Sequence, residues 1–166
     1  MKPLIKNLLF VLGFIFIMLV ILFLNTYIHE QAHINSAKEQ NISFKLRNIE
    51  WKPQIDGWGS GFSIPTNQEE CEKFNSLLLE NKQKITHGGV KAEFLFISSL
   101  LFISLFILIK YVNRLWHHNW VLFVLLILFN LLFFVMIFYT FKGNVFTSNP
   151  QADWNFLNFS DCSIYG

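Results

Sequence analysis

Charged residues are scarce in this chain: Lys, Arg, Asp and Glu together make up 14% of its 166 residues, against about 25% in an ordinary soluble domain. The formal net charge is only +2, and the basic residues do not form one face, which argues against nucleic acid as a partner. Hydrophobic residues reach 53%, with 20 Phe. This balance excludes an ordinary soluble domain and indicates an integral membrane protein in contact with the lipid bilayer.

Three apolar runs have the length of about 17–25 residues that a transmembrane helix needs: residues 4–24, 94–112 and 120–141. The first run lacks a small-x-small cleavage site after it, which predicts an uncleaved signal anchor. No ionisable residue lies in the middle of the runs, and this argues against an ion pump. These runs are expected to lie in lipid, and this explains why the chain has few charges.

The positions of the basic residues predict the orientation. Lys2 and Lys6 precede the first run, and Lys110 and Arg114 lie in the short loop between the second and third runs. By the positive-inside rule the N-terminus and this loop are cytoplasmic, so the HExxH motif described below and the C-terminus are extracytoplasmic. The predicted fold class is a mainly α membrane protein with three transmembrane helices and a small α+β extracytoplasmic domain between the first and second.

Four segments follow from this pattern. A signal-anchor helix extended into the HExxH helix covers residues 1–38, the extracytoplasmic hairpin and amphipathic helix cover 39–92, a transmembrane helical hairpin covers 93–141, and an extracytoplasmic tail covers 142–166. The first segment is expected to be one helix because no Pro or Gly interrupts residues 14–52.

The sequence of the outer region, residues 39–92, predicts a hairpin followed by a helix. Apolar residues alternate over 42–46 and continue at 49–51 after a shift of one residue, which is typical of a strand with a bulge. A Gly-rich turn and a short return strand complete the hairpin. Thr66 and Glu69 have the spacing of a capping box for the amphipathic helix. Gly88 or Gly89 is expected to end that helix.

The stretch YIHEQAH, residues 27–33, directly follows the first apolar run. His29 and His33 are four residues apart, so on a helix they project from one face and two imidazole nitrogens can bind one Zn²⁺. Glu30 lies beside that face, where it can take a proton from a zinc-activated water and pass it to a leaving amine. The alternative is that all three are ordinary polar residues at the point where a helix leaves the bilayer.

The HEQAH motif beside a membrane span resembles the membrane-bound zincin metalloproteases. The resemblance covers this motif and the spans only, and it implies His29 and His33 as zinc ligands and Glu30 as the general base. Site-2-type proteases also carry a Pro-x-x-Asp-Gly element whose Asp is the third ligand, and PQIDG at residues 53–57 matches those letters. Asp56 is therefore a candidate ligand, although its Gly-rich context favours a turn.

Other candidates for a third ligand come from the second half of the outer region. Glu93 begins the second apolar run, close to the height at which His29 leaves the first, and zincins of the Glu-ligand type take their third ligand from a later helix. An acidic residue at the end of a membrane helix is equally explained by exposure to solvent. His87 is the next candidate, and Glu80 on the amphipathic helix is the third.

Two functions of different classes fit the sequence. The first is a membrane-anchored zinc metallopeptidase that hydrolyses peptide bonds near the outer membrane surface, with a peptide or a membrane protein as substrate. The second is a non-catalytic accessory or structural subunit of a larger membrane complex, in contact with partner membrane subunits and able to bind metal without turnover. The small size of the chain and the lack of an unambiguous third ligand favour the second reading.

The chain has only two cysteines, Cys71 and Cys162. Under the predicted orientation both lie on the extracytoplasmic side, where disulfides persist. A bridge would attach the tail to the amphipathic helix. The alternative is a buried, apolar Cys71 and a free thiol at Cys162.

Overall fold

The computed structural model describes residues 3–50, 60–145 and 162. The elements in this part of the chain are, in order, α1 (Pro3–Glu39), β1 (Phe44–Glu50), β2 (Ser60–Pro65), α2 (Gln68–Ser76), α3 (Leu79–His118) and α4 (Trp120–Val145). Helices α1, α3 and α4 are long and apolar enough to cross a bilayer. The hairpin and α2 form a small α+β unit between α1 and α3, so the coarse architecture predicted from the sequence is confirmed.

Helix α1 continues past its apolar part and ends at a left-handed residue. Asn41 has φ 58°, its amide donates to the Lys38 carbonyl at 3.0 Å, and the Ile42 amide donates to the Ala37 carbonyl at 3.0 Å. This pair of bonds is a Schellman motif, with Asn in the position that Gly usually takes. Because the motif reverses the chain, strand β1 returns alongside the outer part of α1. The prediction that one helix continues from the apolar run through the HExxH motif is confirmed.

Strands β1 and β2 form a two-stranded antiparallel sheet. Phe44 lies opposite Pro65, and the register shifts between Leu46 and Asn48, which confirms the predicted bulge. Ile42 and Phe44 pack with Phe74 of α2 and with two further buried side chains, Ala37 of α1 and Ile85 of α3. This small core holds the hairpin and α2 against the outer parts of both long helices.

The cap of α2 differs from the prediction by one residue. The Asn67 side chain accepts a hydrogen bond from the Glu70 amide at 2.9 Å, whereas a Thr66–Glu69 capping box was expected. Thr66 is occupied elsewhere, because its amide donates to the Ser43 carbonyl at 3.0 Å and so extends the strand pairing. The Ser43 amide in turn donates to Glu70 and holds the pKa of that carboxyl below its ordinary value.

The predicted end of the amphipathic helix at Gly88 or Gly89 is wrong. The helix breaks earlier, where Leu77 and Leu78 take extended conformations, and Leu77 packs against the small core. Helix α3 then runs from Leu79 through both glycines to His118 without interruption. The glycines serve packing instead, because a Cβ on Gly88 would collide with the Ser36 side chain of α1.

The apolar parts of the long helices share a second core, which contains Ile21, Ile97 and Phe133. Within it, the Asn130 amide of α4 donates to the Ser104 hydroxyl of α3 at 2.9 Å, as expected for an interhelical bond between apolar helices. Many large apolar side chains on the outside of the helices are exposed, among them Phe16, Phe102, Ile109 and Phe134. Such a surface is compatible with lipid contact.

Cys71 and Cys162 form a disulfide, with a Cα–Cα distance of 5.7 Å and a sequence separation of 91 residues. The bridge predicted as one of two alternatives is confirmed. Replacing both cysteines with Ser should lower the free energy of unfolding by roughly 4 kcal/mol, because the bridge closes a long loop in the unfolded chain. Thermal unfolding in detergent, with and without reductant, measures this. An unchanged transition in both the variant and the reduced protein would contradict the expectation.

Candidate functional site

The two histidines of the HExxH motif point towards one another from the same face of α1. The Nε2 atoms of His29 and His33 are 3.0 Å apart, and their rings meet edge to face at 4.7 Å between centroids. His33 is 1% exposed, and the His29 side chain is 17% exposed. Two nitrogens bound to one tetrahedral zinc ion lie about 3.3 Å apart. The observed spacing is therefore close to that of a metal-binding pair.

The Nδ1 atom of each ring, on the side away from the other ring's Nε2, contacts a group on α3. The Nδ1 atom of His33 lies 2.8 Å from the Ile85 carbonyl oxygen, and Nδ1 of His29 lies 3.1 Å from Oε2 of Glu93. A carbonyl only accepts, so Nδ1 of His33 carries the proton and its Nε2 presents a lone pair. An acceptor behind a histidine ring is also the usual support of a metal ligand, since it fixes the tautomer and the ring orientation.

The two rings make three polar contacts, but two neutral imidazoles have only two N–H groups to donate. With Glu93 ionised and both rings neutral, the N–H of His33 donates a hydrogen bond to the Ile85 carbonyl. His29 then has one N–H for its two contacts, with Glu93 and with His33. If His29 donates to Glu93, two lone pairs face each other across 3.0 Å. One added proton, or one metal ion, satisfies the arrangement. The 3.0 Å spacing of the two Nε2 atoms is thus compatible with one proton or one metal ion between the rings.

Gly89 of α3 allows the two rings to approach the backbone of that helix closely. A Cβ at Gly89 would lie 2.5 Å from Nε2 of His33 and 2.9 Å from Nε2 of His29. Gly89 is itself buried, so both Nε2 atoms pack against a position that has no side chain. Ligand nitrogens lie about 2.0–2.1 Å from zinc. An ion between the rings would need the space that any larger residue at position 89 would fill.

Glu30 lies on the neighbouring side of α1 and contacts the hairpin. Glu30 is 5% exposed, and its Oε2 accepts a hydrogen bond from the Ser63 hydroxyl of β2 at 2.9 Å. Ser63 is fully buried. The contact fixes the direction of the Glu30 side chain and brings the return strand of the hairpin next to the HExxH helix.

The candidates for a third ligand lie in different places. Glu93 is next to His29, but its carboxylate faces Nδ1 rather than the two Nε2 atoms. His87 is exposed on α3, two residues from Gly89, and Glu80 is 77% exposed and pairs with Lys84 at 3.0 Å. Asp56 lies outside the described residues. Accordingly, no group of three or more His, Cys, Asp or Glu side chains in residues 3–50, 60–145 and 162 is arranged to hold a metal ion.

Three residues of this region, each in contact with a histidine or with one of the two acidic side chains, carry no prediction of a site role from the sequence. Asn25 donates to Oε1 of Glu93 at 2.9 Å, and its position four residues before His29 could have placed it on the same helix face. The sequence predicts Gly89 only as a helix end, although its spacing of four residues from Glu93 also places the two on one helix face. Ser63 carried no local signal, because its contact with Glu30 depends on how the hairpin docks on α1.

Comparison with known proteins gives no matching family model, curated protein or solved structure. The chemistry of the site is therefore inferred from the side chains themselves.

The role of Glu93 can be separated from that of the histidines. Glu93→Gln keeps the size of the side chain but removes the charge that faces His29. If Glu93 supports the site, we expect zinc affinity to fall by about 10–100-fold or more, as for other carboxylates that hold or orient ligands. Isothermal titration with zinc measures the change. An affinity equal to that of the unaltered protein would contradict both roles of Glu93, as ligand and as orienting carboxylate.

Proposed function

We propose that this chain is a membrane-anchored zinc metallopeptidase that hydrolyses peptide bonds near the outer membrane surface. The observation that carries the proposal is the convergence of the His29 and His33 Nε2 atoms at 3.0 Å, next to Gly89, where any Cβ would collide with both rings. Glu30 adds an acidic side chain one residue along the same helix. This combination matches the division of labour in an HExxH enzyme, with two ligands and one base.

His29 and His33 would hold the ion, with Glu93 as third ligand or as the carboxylate that orients His29. When bound, zinc supplies Lewis-acid activation of a water and of the scissile carbonyl. Glu30 accepts a proton from the attacking water and returns it to the leaving nitrogen, so that the carbonyl carbon gains OH and the amine gains H. Ser63 holds Glu30 through Oε2 while this proton is carried.

The Cys71–Cys162 bridge supports the proposed arrangement across the membrane. Helices α3 and α4 lie between the two cysteines, and a bridge requires both cysteines on one side, as when both helices cross. Disulfides persist in extracytoplasmic compartments, in agreement with the orientation that the basic residues predict. The HExxH region and the C-terminus would therefore lie outside, with the N-terminus in the cytoplasm.

Zinc removal tests the proposal directly. Purified full-length protein should contain one equivalent of zinc by mass spectrometry of metals, should lose cleavage of a peptide library after chelation, and should regain it when zinc is restored. Protein that contains no zinc and does not bind it would contradict the metal site. Protein that binds zinc but cleaves nothing would favour the second reading, an accessory subunit of a membrane complex.

The second reading has an observation of its own in its favour. Within the described residues, two histidines converge without a third metal-ligating side chain at their Nε2 atoms. A network of this kind can also tie α1 to α3 in a structural role. The two readings differ in zinc content and in turnover, which the chelation experiment measures separately.

Ser63 gives a milder test of the proposed base. Ser63→Ala removes the hydroxyl that donates to Glu30. We expect kcat to fall by about 10-fold or more with KM and zinc content unchanged, because a hydrogen bond to an ionised carboxylate contributes at least about 1.5 kcal/mol. Ser76→Ala, on the exposed surface of α2, is the matched control. Equal kcat values for the two variants would show that the hydroxyl does not position Glu30.

A further inference from the structure

The candidate site lies at a defined height on the long helices. The 2.9 Å hydrogen bond between Asn25 and Glu93 joins α1 and α3 at one level. On the apolar side of this level, both helices immediately present exposed, large hydrophobic side chains: Phe23 39%, Leu24 39%, Phe94 39% and Leu95 65%. On the other side are His29 and His33. Both helices therefore change from large exposed apolar side chains to polar ones at the same level, and we place the edge of the hydrocarbon layer at this level.

The distance from that edge to the histidines follows from helix geometry. Helix α1 is continuous, so at 1.5 Å per residue the Cα atoms of His29 and His33 lie about 6 and 12 Å beyond Asn25. Side chains on a helix lean towards its N-terminus, which brings both rings closer to the edge. The rings thus lie roughly 5–10 Å outside the hydrocarbon. The headgroup layer on each side of a bilayer is about 5–7 Å thick, so the site is within it or at its outer limit.

Within residues 3–50, 60–145 and 162, the parts outside the apolar helices are small. Between the end of α1 and the start of α3, the described residues form one short hairpin and the nine-residue helix α2. Ile42, Phe44 and Phe74 of this segment are buried in the small core. A substrate anchored in the same bilayer does not need a large binding surface, because anchoring raises its effective concentration at the site. This favours a membrane-bound substrate over a soluble one.

We propose that the site takes membrane-anchored polypeptides and cleaves them within the first few residues outside their own span, at a distance from the bilayer fixed by α1. The inference rests on the proposed peptidase function. An extended chain advances about 3.3 Å per residue, so a site 5–10 Å from the hydrocarbon reaches the second or third residue after the span. The specificity would then come mainly from distance, with the sequence around the scissile bond contributing less.

A single-span reporter in vesicles tests this distance rule. Full-length protein is reconstituted in phosphatidylcholine vesicles with a reporter whose span is flanked on both sides by a uniform twelve-residue repeat, so that neither sequence preference nor orientation selects the bond. Mass spectrometry of the products should locate the cuts within about two to four residues of the span. The same repeat as a soluble peptide should be cleaved at least about 10-fold more slowly. Glu30→Gln in the same vesicles is the control that assigns the cuts to this site.

Each other outcome has a separate meaning. Cuts spread along the whole repeat, or equal cleavage of the soluble peptide, would overturn the distance rule and leave the peptidase in place. Cleavage of the soluble peptide alone would overturn it as well. Zinc-loaded protein that cleaves neither reporter would refute the proposed function, and the distance rule with it.

Discussion

Replacing Glu30 with Gln is expected to lower peptide cleavage by about 10²–10⁴-fold and to leave the zinc content unchanged. Gln has nearly the shape of Glu, and its amide oxygen can still accept the hydrogen bond from Ser63 that now goes to Oε2. The variant therefore keeps the contact between α1 and β2 but cannot take a proton from water. Turnover of a peptide substrate and metal analysis on the same preparation measure both parts of the expectation.

Glu72→Gln is the matched control for this variant, because it removes the same charge from a residue on the exposed surface of α2. It should retain the activity of the unaltered protein. Unchanged cleavage by Glu30→Gln would show that Glu30 is not the base. Loss of zinc from Glu30→Gln would instead indicate that Glu30 helps to hold the ion, and the assignment of roles within HExxH would have to be revised.

The features that the sequence predicted correctly are those set by neighbours along the chain. The absence of Pro and Gly over residues 14–52 predicted that α1 continues from its apolar part through the motif, and this continuity is what brings His29 and His33 together. The one-residue shift of apolar positions after Leu46 predicted the irregular register of the hairpin. In each case the local pattern and the observed structure depend on the same backbone geometry.

The features that could not be predicted from the sequence depend on contacts between distant segments. Gly88 and Gly89 indicate a helix end because Gly is common there, yet in α3 they allow close approach to α1. The residue type alone does not distinguish the two uses. The break at Leu77 and Leu78 contains neither Pro nor Gly, and it coincides with the packing of Leu77 in the small core. Helix propensity is too weak to decide against such packing.

The orientation of Glu93 is a further feature that depends on contacts between distant segments and could not be predicted from the sequence. From the sequence, a carboxylate at the start of the second apolar run could be placed near His29 but not on a particular ring nitrogen. The structure places it at Nδ1, with Asn25 holding its other oxygen. That detail depends on the rotation of α3 about its axis, which the packing of Gly89 against the histidines constrains. The role of Glu93 as a direct ligand stays a prediction.

Replacing Gly89 with Ala is expected to lower zinc affinity on the order of 100-fold or more, although no candidate ligand is changed. The new Cβ would lie 2.5 Å from Nε2 of His33 and 2.9 Å from Nε2 of His29, in the space that an ion between the rings needs. The rings have little freedom to give way, because Ile85 and Glu93 hold them from behind. Zinc titration measures the affinity, and circular dichroism monitors the helix content.

Gly13→Ala is the matched control for Gly89→Ala, because Gly13 is also in a long helix but a Cβ there has nothing within 4 Å. Ala favours a helix over Gly by about 1 kcal/mol, so the substitution itself should leave helix content unchanged or slightly raised in both variants. A loss of zinc confined to Gly89→Ala would then reflect the space beside the histidines and not unfolding of α3. If Gly89→Ala binds zinc as tightly as Gly13→Ala, the ion does not lie between the two rings, and the histidine pair is better explained as a structural contact between α1 and α3.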